Sequence, residues 1–206
     1  TLDKSNKLLT DKVCLITGAN AGLGKVTAYE LAKMDAEVIM VARSEVRGQA
    51  ALEEVRQISG SQKVQLMLAD LSSMDDTRQL AEQVKAQYQQ LDVLVNNAGA
   101  IFKNRQVTVD GYEMTFALNH LSYFLLTYLL LDLLKASAPA RIVNVSSGAH
   151  TGGQINFDDL MLAKKYRSFE AYSQSKLANV LFTYELARRL EGSGVTANAL
   201  HPGGVA

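Results

Sequence analysis

Hydrophobic residues along the chain follow two alternating patterns. Six short apolar, β-branched runs begin near residues 12, 36, 64, 91, 140 and 195, and they read KVCLIT, AEVIMVA, VQLMLA, LDVLV, ARIVNVS and VTANAL. Between the runs, apolar residues recur at helical spacing, at about 22–33, 45–58, 74–90, 111–136 and 169–192. The pattern predicts six strands that alternate with five helices.

This alternation also predicts the fold class. Neighbouring parallel strands need a crossover connection, and strands that are apolar along their whole length indicate helices on both faces of the sheet. Only two prolines occur, Pro139 and Pro202, and the chain has no internal repeat or low-complexity tract. We therefore expect an α/β fold with a doubly wound parallel sheet, Rossmann-type, as a single domain over residues 1–206.

Composition narrows the possible partners and the compartment. Lys and Arg number 21 and Asp and Glu also 21, so no net charge recruits nucleic acid or anionic lipid. The lone Cys14 cannot form an internal disulfide, and the first twelve residues lack the apolar core of a signal peptide, which predicts a cytoplasmic location. The most apolar stretch, 118–134, contains Asp132 and falls short of the roughly 20 residues of a membrane span. We expect a buried or interfacial helix there and no transmembrane segment.

A glycine-rich stretch, TGANAGLG at 17–24, follows the first predicted strand and opens the first helix. In such a unit Gly18 permits a tight turn, Gly22 lets the backbone approach a pyrophosphate, and Gly24 lets helix and strand pack closely. The helix N-terminus then faces the phosphates. A Walker loop is excluded because the lysine after Gly24 is followed by valine. The context favours a dinucleotide site over a plain turn.

The end of the second strand, MVARS, indicates which dinucleotide binds. NAD-binding folds place an acidic residue there, about 20 residues on, to hold the ribose 2′-hydroxyl. This chain has Arg43 instead, whose planar cation suits a 2′-phosphate. The residue favours NADP(H), and a solvated charge at a strand end is the alternative.

Near the C-terminus, YSQSK at 172–176 places a tyrosine and a lysine four positions apart in a predicted helix. That spacing stacks both side chains on one helix face. Taken alone, the pair is more typical of a solvated or half-buried helix face than of a catalytic site.

Four motifs in a fixed order carry a resemblance: TGANAGLG, NNAG at 96–99, NVSS at 144–147 and YSQSK. Together they resemble the short-chain dehydrogenase/reductase family over essentially the whole chain. Within it, NHLSYFLLTYLL, RIVNVSSGAH and YSQSKLANVLFTYELARRL look most like the retinol-dehydrogenase-like reductases. The resemblance implies an NADP(H)-dependent oxidoreductase that transfers a hydride to or from a lipophilic alcohol or aldehyde/ketone.

The resemblance also implies catalytic roles. Tyr172 would be the general acid/base, and Lys176 would bond the nicotinamide ribose and favour the ionised tyrosine through its charge. Family patterns select Ser147 rather than Ser146 as the hydroxyl that bonds the reacting oxygen. Asn119 would hold a water that links the lysine to solvent.

The implied cofactor contacts extend over the whole chain. For Asp70 the alternative is a helix cap, and for NNAG it is a structural tie between central strands. Three histidines and Cys14 have no ligand spacing, so no metal site is expected. The residues expected to contact NADP are Gly18, Asn20, Ala21, Gly22, Leu23, Gly24, Arg43, Asp70, Leu71, Asn97, Ala98, Gly99, Tyr172, Lys176, Pro202 and Gly203.

The sequence stops at HPGGVA, directly after the sixth strand, whereas family members continue. We therefore expect the C-terminal substrate-covering segment and the last strand to be lacking. The apolar excess on helices 111–136 and 169–192 resembles the family's dimer interface and predicts a homo-oligomer. A steroid, a 3-oxoacyl thioester or a tetrapyrrole as substrate stays open, as does a non-catalytic NADP(H)-sensing or scaffold role.

Overall fold

In the computed structural model, which describes residues 8–204, strands and helices alternate as predicted. The sequence predictions about a signal peptide and about a missing C-terminal segment concern in part residues 1–7 and 205–206, which lie outside the described residues. The strands are β1 (Val13–Thr17), β2 (Glu37–Ala42), β3 (Val64–Leu68), β4 (Val93–Asn96), β5 (Ala140–Val145) and β6 (Val195–Leu200). The helices are α1 (Gly22–Lys33), α2 (Glu45–Ser59), α3 (Met74–Gln87), α4 (Met114–Ala136) and α5 (Ser168–Arg189).

The six strands form one parallel sheet in the order β3-β2-β1-β4-β5-β6. From β1 the strand order continues to β2 and β3 at one edge of the sheet, and from β4 it continues to β5 and β6 at the other edge. The crossover connections after β1 and after β4 therefore run in opposite directions along the sheet. Such a switch point opens a crevice beyond the carboxyl ends of the central strands. The predicted doubly wound, Rossmann-type sheet is confirmed.

Two layers of helices cover the sheet. Helices α1 and α2 bury small and apolar residues such as Ala28, Ala32 and Val55 against one face. Helices α3, α4 and α5 bury leucines, among them Leu80 and Leu130, against the other. Strand β3 exposes Gln65 and Leu68, and β6 exposes Thr196 and its last three residues, so burial on both faces holds for β1 and β2 but not for the strands at the edges. Edge strands have a neighbour on one side only, which leaves fewer helices to cover them.

Helix α4 begins at Met114, three residues later than the pattern predicts, because Glu113 caps it. The Glu113 carboxylate accepts hydrogen bonds from the backbone N–H groups of Thr115 and Phe116, each at 2.8 Å. Residues Ala117–Leu121 form a π-helical segment within α4. By length and composition α4 is long and apolar enough to cross a membrane. The sequence pattern did not indicate this, because the apolar stretch 118–134 is shorter than the helix. Its leucines nevertheless pack into the core beside the sheet, as expected for a buried helix.

Candidate active site

A cleft of about 770 Å³ opens at the carboxyl ends of the central strands, where the strand order reverses. Most of the residues expected at the cofactor line it; Gly24 and Gly203 do not. Of the residues expected to be catalytic, Tyr172 and Lys176 line it and Asn119 and Ser147 do not, whereas Ser146 does. The expected residues that line it are Gly18, Asn20, Ala21, Gly22, Leu23, Arg43, Asp70, Leu71, Asn97, Ala98, Gly99, Tyr172, Lys176 and Pro202.

The glycine-rich turn forms one wall of the cleft. Gly18 has φ +66°, and a Cβ there would lie 2.8 Å from the Cα of Ala98. A Cβ at Gly24 would overlap the carbonyl oxygen of Gly18 and lie 2.5 Å from Asn97 Nδ2. Both positions therefore need glycine, the first for its backbone conformation and its close neighbour, the second for close packing of helix on strand. Gly24 thus supports the glycine-rich turn by close packing, without lining the cleft.

The backbone N–H groups in the first turn of α1 can bind an anion. Its N-cap, Ala21, makes no side-chain cap hydrogen bond. The first N–H groups of a helix have no intrahelical partner, and together with the helix dipole they favour a negative charge. The turn and the helix start thus fit a pyrophosphate.

Two charged side chains meet at the other end of the cleft. Arg43 Nη1 lies 3.7 Å from Asp70 Oδ2, and both side chains are partly exposed. Asp70 Oδ1 also accepts hydrogen bonds from Ser72 N and Oγ, at 3.0 and 2.7 Å. Helix α3 is capped by Ser73 instead, so Asp70 is not its cap.

Sequence reasoning missed two cleft residues beside Arg43. Ser44 caps α2, and its Oγ accepts a hydrogen bond from the backbone N–H of Arg47 at 3.4 Å. Both residues line the cleft. Arg47 lies four residues after Arg43, on the other side of a predicted strand-to-helix junction. This spacing could have indicated a second arginine at the same end of the cleft.

The NNAG motif both ties strands together and lines the cleft. Asn97 Nδ2 donates to the carbonyl oxygen of Thr17 at 2.8 Å, while Thr17 Oγ1 accepts from the backbone N–H groups of Asn97 and Ala98. Asn96 donates to Asn144 Oδ1 at 2.8 Å and so connects β4 to β5. The structural alternative for this motif therefore coexists with its position at the cleft.

Tyr172 and Lys176 lie one turn apart on α5, at the end of the cleft opposite Arg43. Lys176 is 3% exposed, and its Nζ donates to the carbonyl oxygen of Val145 at 2.9 Å. Burial lowers the pKa of Lys176 to about 8. The Lys176 Nζ lies 5.7 Å from the ring centroid of Tyr172, so the ammonium and the phenol share one small volume.

The two serines after β5 have different environments. Ser146 is buried, and its Oγ donates to the carbonyl oxygen of Lys176 at 2.8 Å, which ties β5 to α5. Ser147 is half-buried and caps a short 3₁₀ helix, Gly148–Gly152, by accepting from Ala149 N at 3.3 Å. The Ser147 hydroxyl proton has no acceptor among residues 8–204.

Asn119 lies in the π-helical segment and is fully buried. Its Oδ1 accepts from Ala100 N at 2.9 Å, and its Nδ2 donates to Ala100 O and Ser175 Oγ. Its own carbonyl oxygen accepts from Asn179 Nδ2 at 2.8 Å. The side chain thus holds the segment after β4 against α5, and the expected water-binding role remains a prediction.

Of the described residues after β6, 201–204, only Pro202 lines the cleft. Gly203 has φ +84°, and its N–H donates to His201 Nδ1 at 3.2 Å. Within residues 8–204 no group of three potential metal ligands occurs. Burial raises the pKa of the Cys14 thiol to about 12, so this thiol stays protonated inside β1.

The cleft also has apolar lining residues, called here the apolar wall, that no sequence motif indicated. This wall comes from the segment after β4, from α4 and from the first turn of α5. Its residues are Ile101, Phe102, Leu118 and Phe169.

Comparison with known proteins agrees with this geometry. A family model described as short chain dehydrogenase matches residues 12–206. Retinol dehydrogenase 12 of Mus musculus is 49% identical over 97% of this chain and 63% of its own length, so the chain spans less than two thirds of this curated relative.

Two solved structures share the fold. The crystal structure of an uncharacterized protein from Mycobacterium paratuberculosis is 43% identical, with a TM-score of 0.84 over 94% of this chain and 69% of that one. An active-site complex of Pseudomonas aeruginosa RhlG with NADP is 30% identical, with a TM-score of 0.77 over 98% and 75% of the two chains. With a family model matched from the first strand to the last residue, this chain belongs to the short chain dehydrogenase family.

Proposed function

We propose that the protein is an NADP(H)-dependent oxidoreductase acting on a lipophilic alcohol or aldehyde/ketone. The observation that carries the proposal is the pairing of Tyr172 with the buried ammonium of Lys176 at one end of a cleft whose other end carries Arg43. The name of its retinol dehydrogenase relative points to the same reaction type.

The cleft fits a nicotinamide dinucleotide along its length. The turn at Gly18 and the uncapped start of α1 would receive the pyrophosphate, and Lys176 at the far end would bond the nicotinamide ribose. The bound cofactor supplies the hydride, while the protein supplies position and electrostatics.

Arg43 and Arg47 support NADP(H) over NAD(H). Both line the cleft at the end of β2 and the first turn of α2, where a 2′-phosphate would meet two guanidinium groups and the Ser44 hydroxyl. Without a phosphate, Arg43 pairs with Asp70. A solved relative, RhlG, binds NADP.

Tyr172 would exchange a proton with the substrate oxygen. In the reduction direction its hydroxyl donates to the forming alkoxide, and the nearby Lys176 ammonium stabilises the phenolate that remains. Ser147 would donate a second hydrogen bond to the same oxygen, since the Ser146 hydroxyl is already bonded to the Lys176 carbonyl. These roles need no metal ion.

The apolar wall supports a lipophilic substrate. Ile101, Phe102 and Phe169 line the same cleft as Tyr172, and none of them can satisfy a polar or charged substrate group with its side chain. Removing an apolar substrate chain from water against such a wall favours binding.

We also propose a homo-oligomer through α4 and α5. Five large apolar or aromatic side chains are exposed on these helices. Apart from Phe169, which lines the cleft, they are Phe124 and Tyr128 on α4 and Leu181 and Tyr184 on α5. Pairing the same surface on two copies would cover them, as in symmetric dimers. A cytoplasmic location remains the expectation from composition.

The test is NADPH-coupled absorbance on the full-length protein with retinoids, aliphatic aldehydes, steroids and acyl thioesters. Tyr172→Phe removes the transferable proton and little volume, so turnover should fall at least about 100-fold while NADPH binding persists. Tyr112→Phe, a half-exposed tyrosine outside the cleft, is the matched control. Retention of most activity in Tyr172→Phe would refute the acid/base assignment, and NADPH binding without turnover of any substrate would favour a sensor.

A further inference from the structure

The Lys176 ammonium is an unusual buried charge. Only one of its three N–H donors has a protein acceptor among the described residues, the Val145 carbonyl oxygen. Burial lowers its pKa, and no carboxylate of residues 8–204 forms an ion pair with it. A neutral group beside the ammonium can oppose this effect of burial by favouring the protonated form.

A second tyrosine, Tyr123 of α4, lies against this ammonium. The Lys176 Nζ is 5.7 Å from the Tyr123 ring centroid, the same distance as from the Tyr172 ring. A cation over an aromatic face within about 6 Å of its centroid is attracted by the ring quadrupole, most strongly where water is excluded. The ammonium therefore contacts two aromatic rings, one from α4 and one from α5.

The Tyr123 hydroxyl does not explain the presence of this ring. Tyr123 is 1% exposed, and its hydroxyl has no hydrogen-bond partner among the described residues. Burying an unpartnered hydroxyl is unfavourable, and an aliphatic residue would fill the same space without that cost. Burial also raises the pKa of Tyr123, so it is no anionic partner for the lysine.

The other groups around the ammonium are neutral. A Cβ on Gly99 would lie 3.5 Å from Lys176 Nζ and 3.2 Å from Asn119 Oδ1, and β5 contributes the Val145 carbonyl. The neighbouring His120 bonds Asn179 and packs against two phenylalanine rings, and burial lowers its pKa, which favours its neutral form.

We propose that Tyr123 is a positioning residue for Lys176: its ring, like that of Tyr172, attracts the ammonium and favours its charged form before any cofactor binds. The aromatic face carries this effect and the hydroxyl does not. Its consequence for turnover rests on the oxidoreductase function proposed above, because a charged Lys176 stabilises the Tyr172 phenolate.

The test is a pH titration of Lys176 in the ligand-free protein, followed by NMR of ¹³Cε-labelled lysine and assigned through loss of the signal in Lys176→Arg. Tyr123→Phe keeps the ring and should leave the Lys176 pKa unchanged. Tyr123→Leu removes the ring and should lower that pKa by about 0.4 to 1.5 units. Tyr123→Met is a second non-aromatic variant, in case the leucine variant does not fold.

Leu126→Ala is the control for a general loss of core packing, because Leu126 is also fully buried in α4 and does not line the cleft. It should destabilise the protein and leave the Lys176 pKa alone. Equal pKa values in Tyr123→Phe, Tyr123→Leu and the unmodified protein would overturn the proposal. An equal drop in Tyr123→Phe and Tyr123→Leu would overturn it too, since the hydroxyl would then be responsible.

A second readout is the pH profile of kcat/KM. The apparent pKa that the profile assigns to Lys176 should be lower in Tyr123→Leu than in the unmodified protein. It should be unchanged in Tyr123→Phe and Leu126→Ala. The NMR titration needs neither cofactor nor turnover. A protein without activity but with the expected NMR shifts would therefore refute the proposed function and leave the role of Tyr123 standing.

Discussion

Replacing Lys176 with methionine should change how the stability of the ligand-free protein depends on pH. Lysine in the unfolded chain has a pKa near 10.5, and burial lowers it to about 8 in the folded protein. Below about pH 8 both states carry the proton, and folding bears the full cost of burying the charge. Between about 8 and 10.5 the folded state releases the proton first, so the stability of the unmodified protein rises with pH. Methionine has no proton to lose, so its variant lacks this rise.

The size of the effect follows from the two pKa values. The change from 10.5 to about 8 is 2.5 units, and at about 1.4 kcal/mol per unit it corresponds to about 3 kcal/mol. Attraction to the rings of Tyr123 and Tyr172 opposes this by about 1 kcal/mol. A rise of about 2 to 3 kcal/mol is therefore expected in the stability of the unmodified protein relative to Lys176→Met. Loss of the hydrogen bond to the Val145 carbonyl adds a constant offset that does not depend on pH.

The assay is urea unfolding of both ligand-free proteins at four pH values from 7 to 10.5, with the difference in unfolding free energy plotted against pH. Lys33→Met is the matched control, because the Lys33 side chain on α1 is exposed and its removal relieves no burial. The difference in unfolding free energy between the unmodified protein and Lys176→Met should increase with pH, whereas the difference for Lys33→Met should not change with pH. A Lys176 difference that is constant across the range would refute the view that a buried, protonated ammonium is present in the folded protein.

Three further outcomes follow from the cleft and the helices. Arg43→Asp should weaken NADPH binding by about 10- to 100-fold and reverse the preference over NADH, measured by titration calorimetry; equal affinities in the unmodified protein would contradict the assignment. Gly24→Ala should cost about 3 kcal/mol in chemical unfolding and abolish NADPH binding, whereas Gly22→Ala, with nothing within 4 Å of the new Cβ, should cost about 1 kcal/mol; equal losses of stability in both would rule out the packing explanation. Tyr184→Lys should give a monomer in light scattering at micromolar concentration without loss of thermal stability, and an unmodified protein that is already monomeric would disprove the interface.

The sequence by itself determined the elements and their order. Strand and helix periodicities depend on neighbouring residues, so all six strands and five helices could be located, with differences of a few residues at their ends. The glycine turn and the Tyr172/Lys176 pair are also local: their spacing along one turn or one helix face fixes their geometry before any tertiary contact forms. Arg43 was likewise found because it ends a predicted strand.

Only the tertiary structure decided what meets across elements. Tyr123 reaches Lys176 from another helix, and the apolar wall combines residues from three segments, so no local pattern indicates either. The roles of Ser146 and Asn119 depend on which distant carbonyl or N–H group lies within hydrogen-bond distance. Burial at the sheet edges depends on which helices cover which strands. Local spacing fixes the conformation of a segment, whereas burial, pairing and the charge state of Lys176 depend on neighbours brought together by folding from distant parts of the sequence.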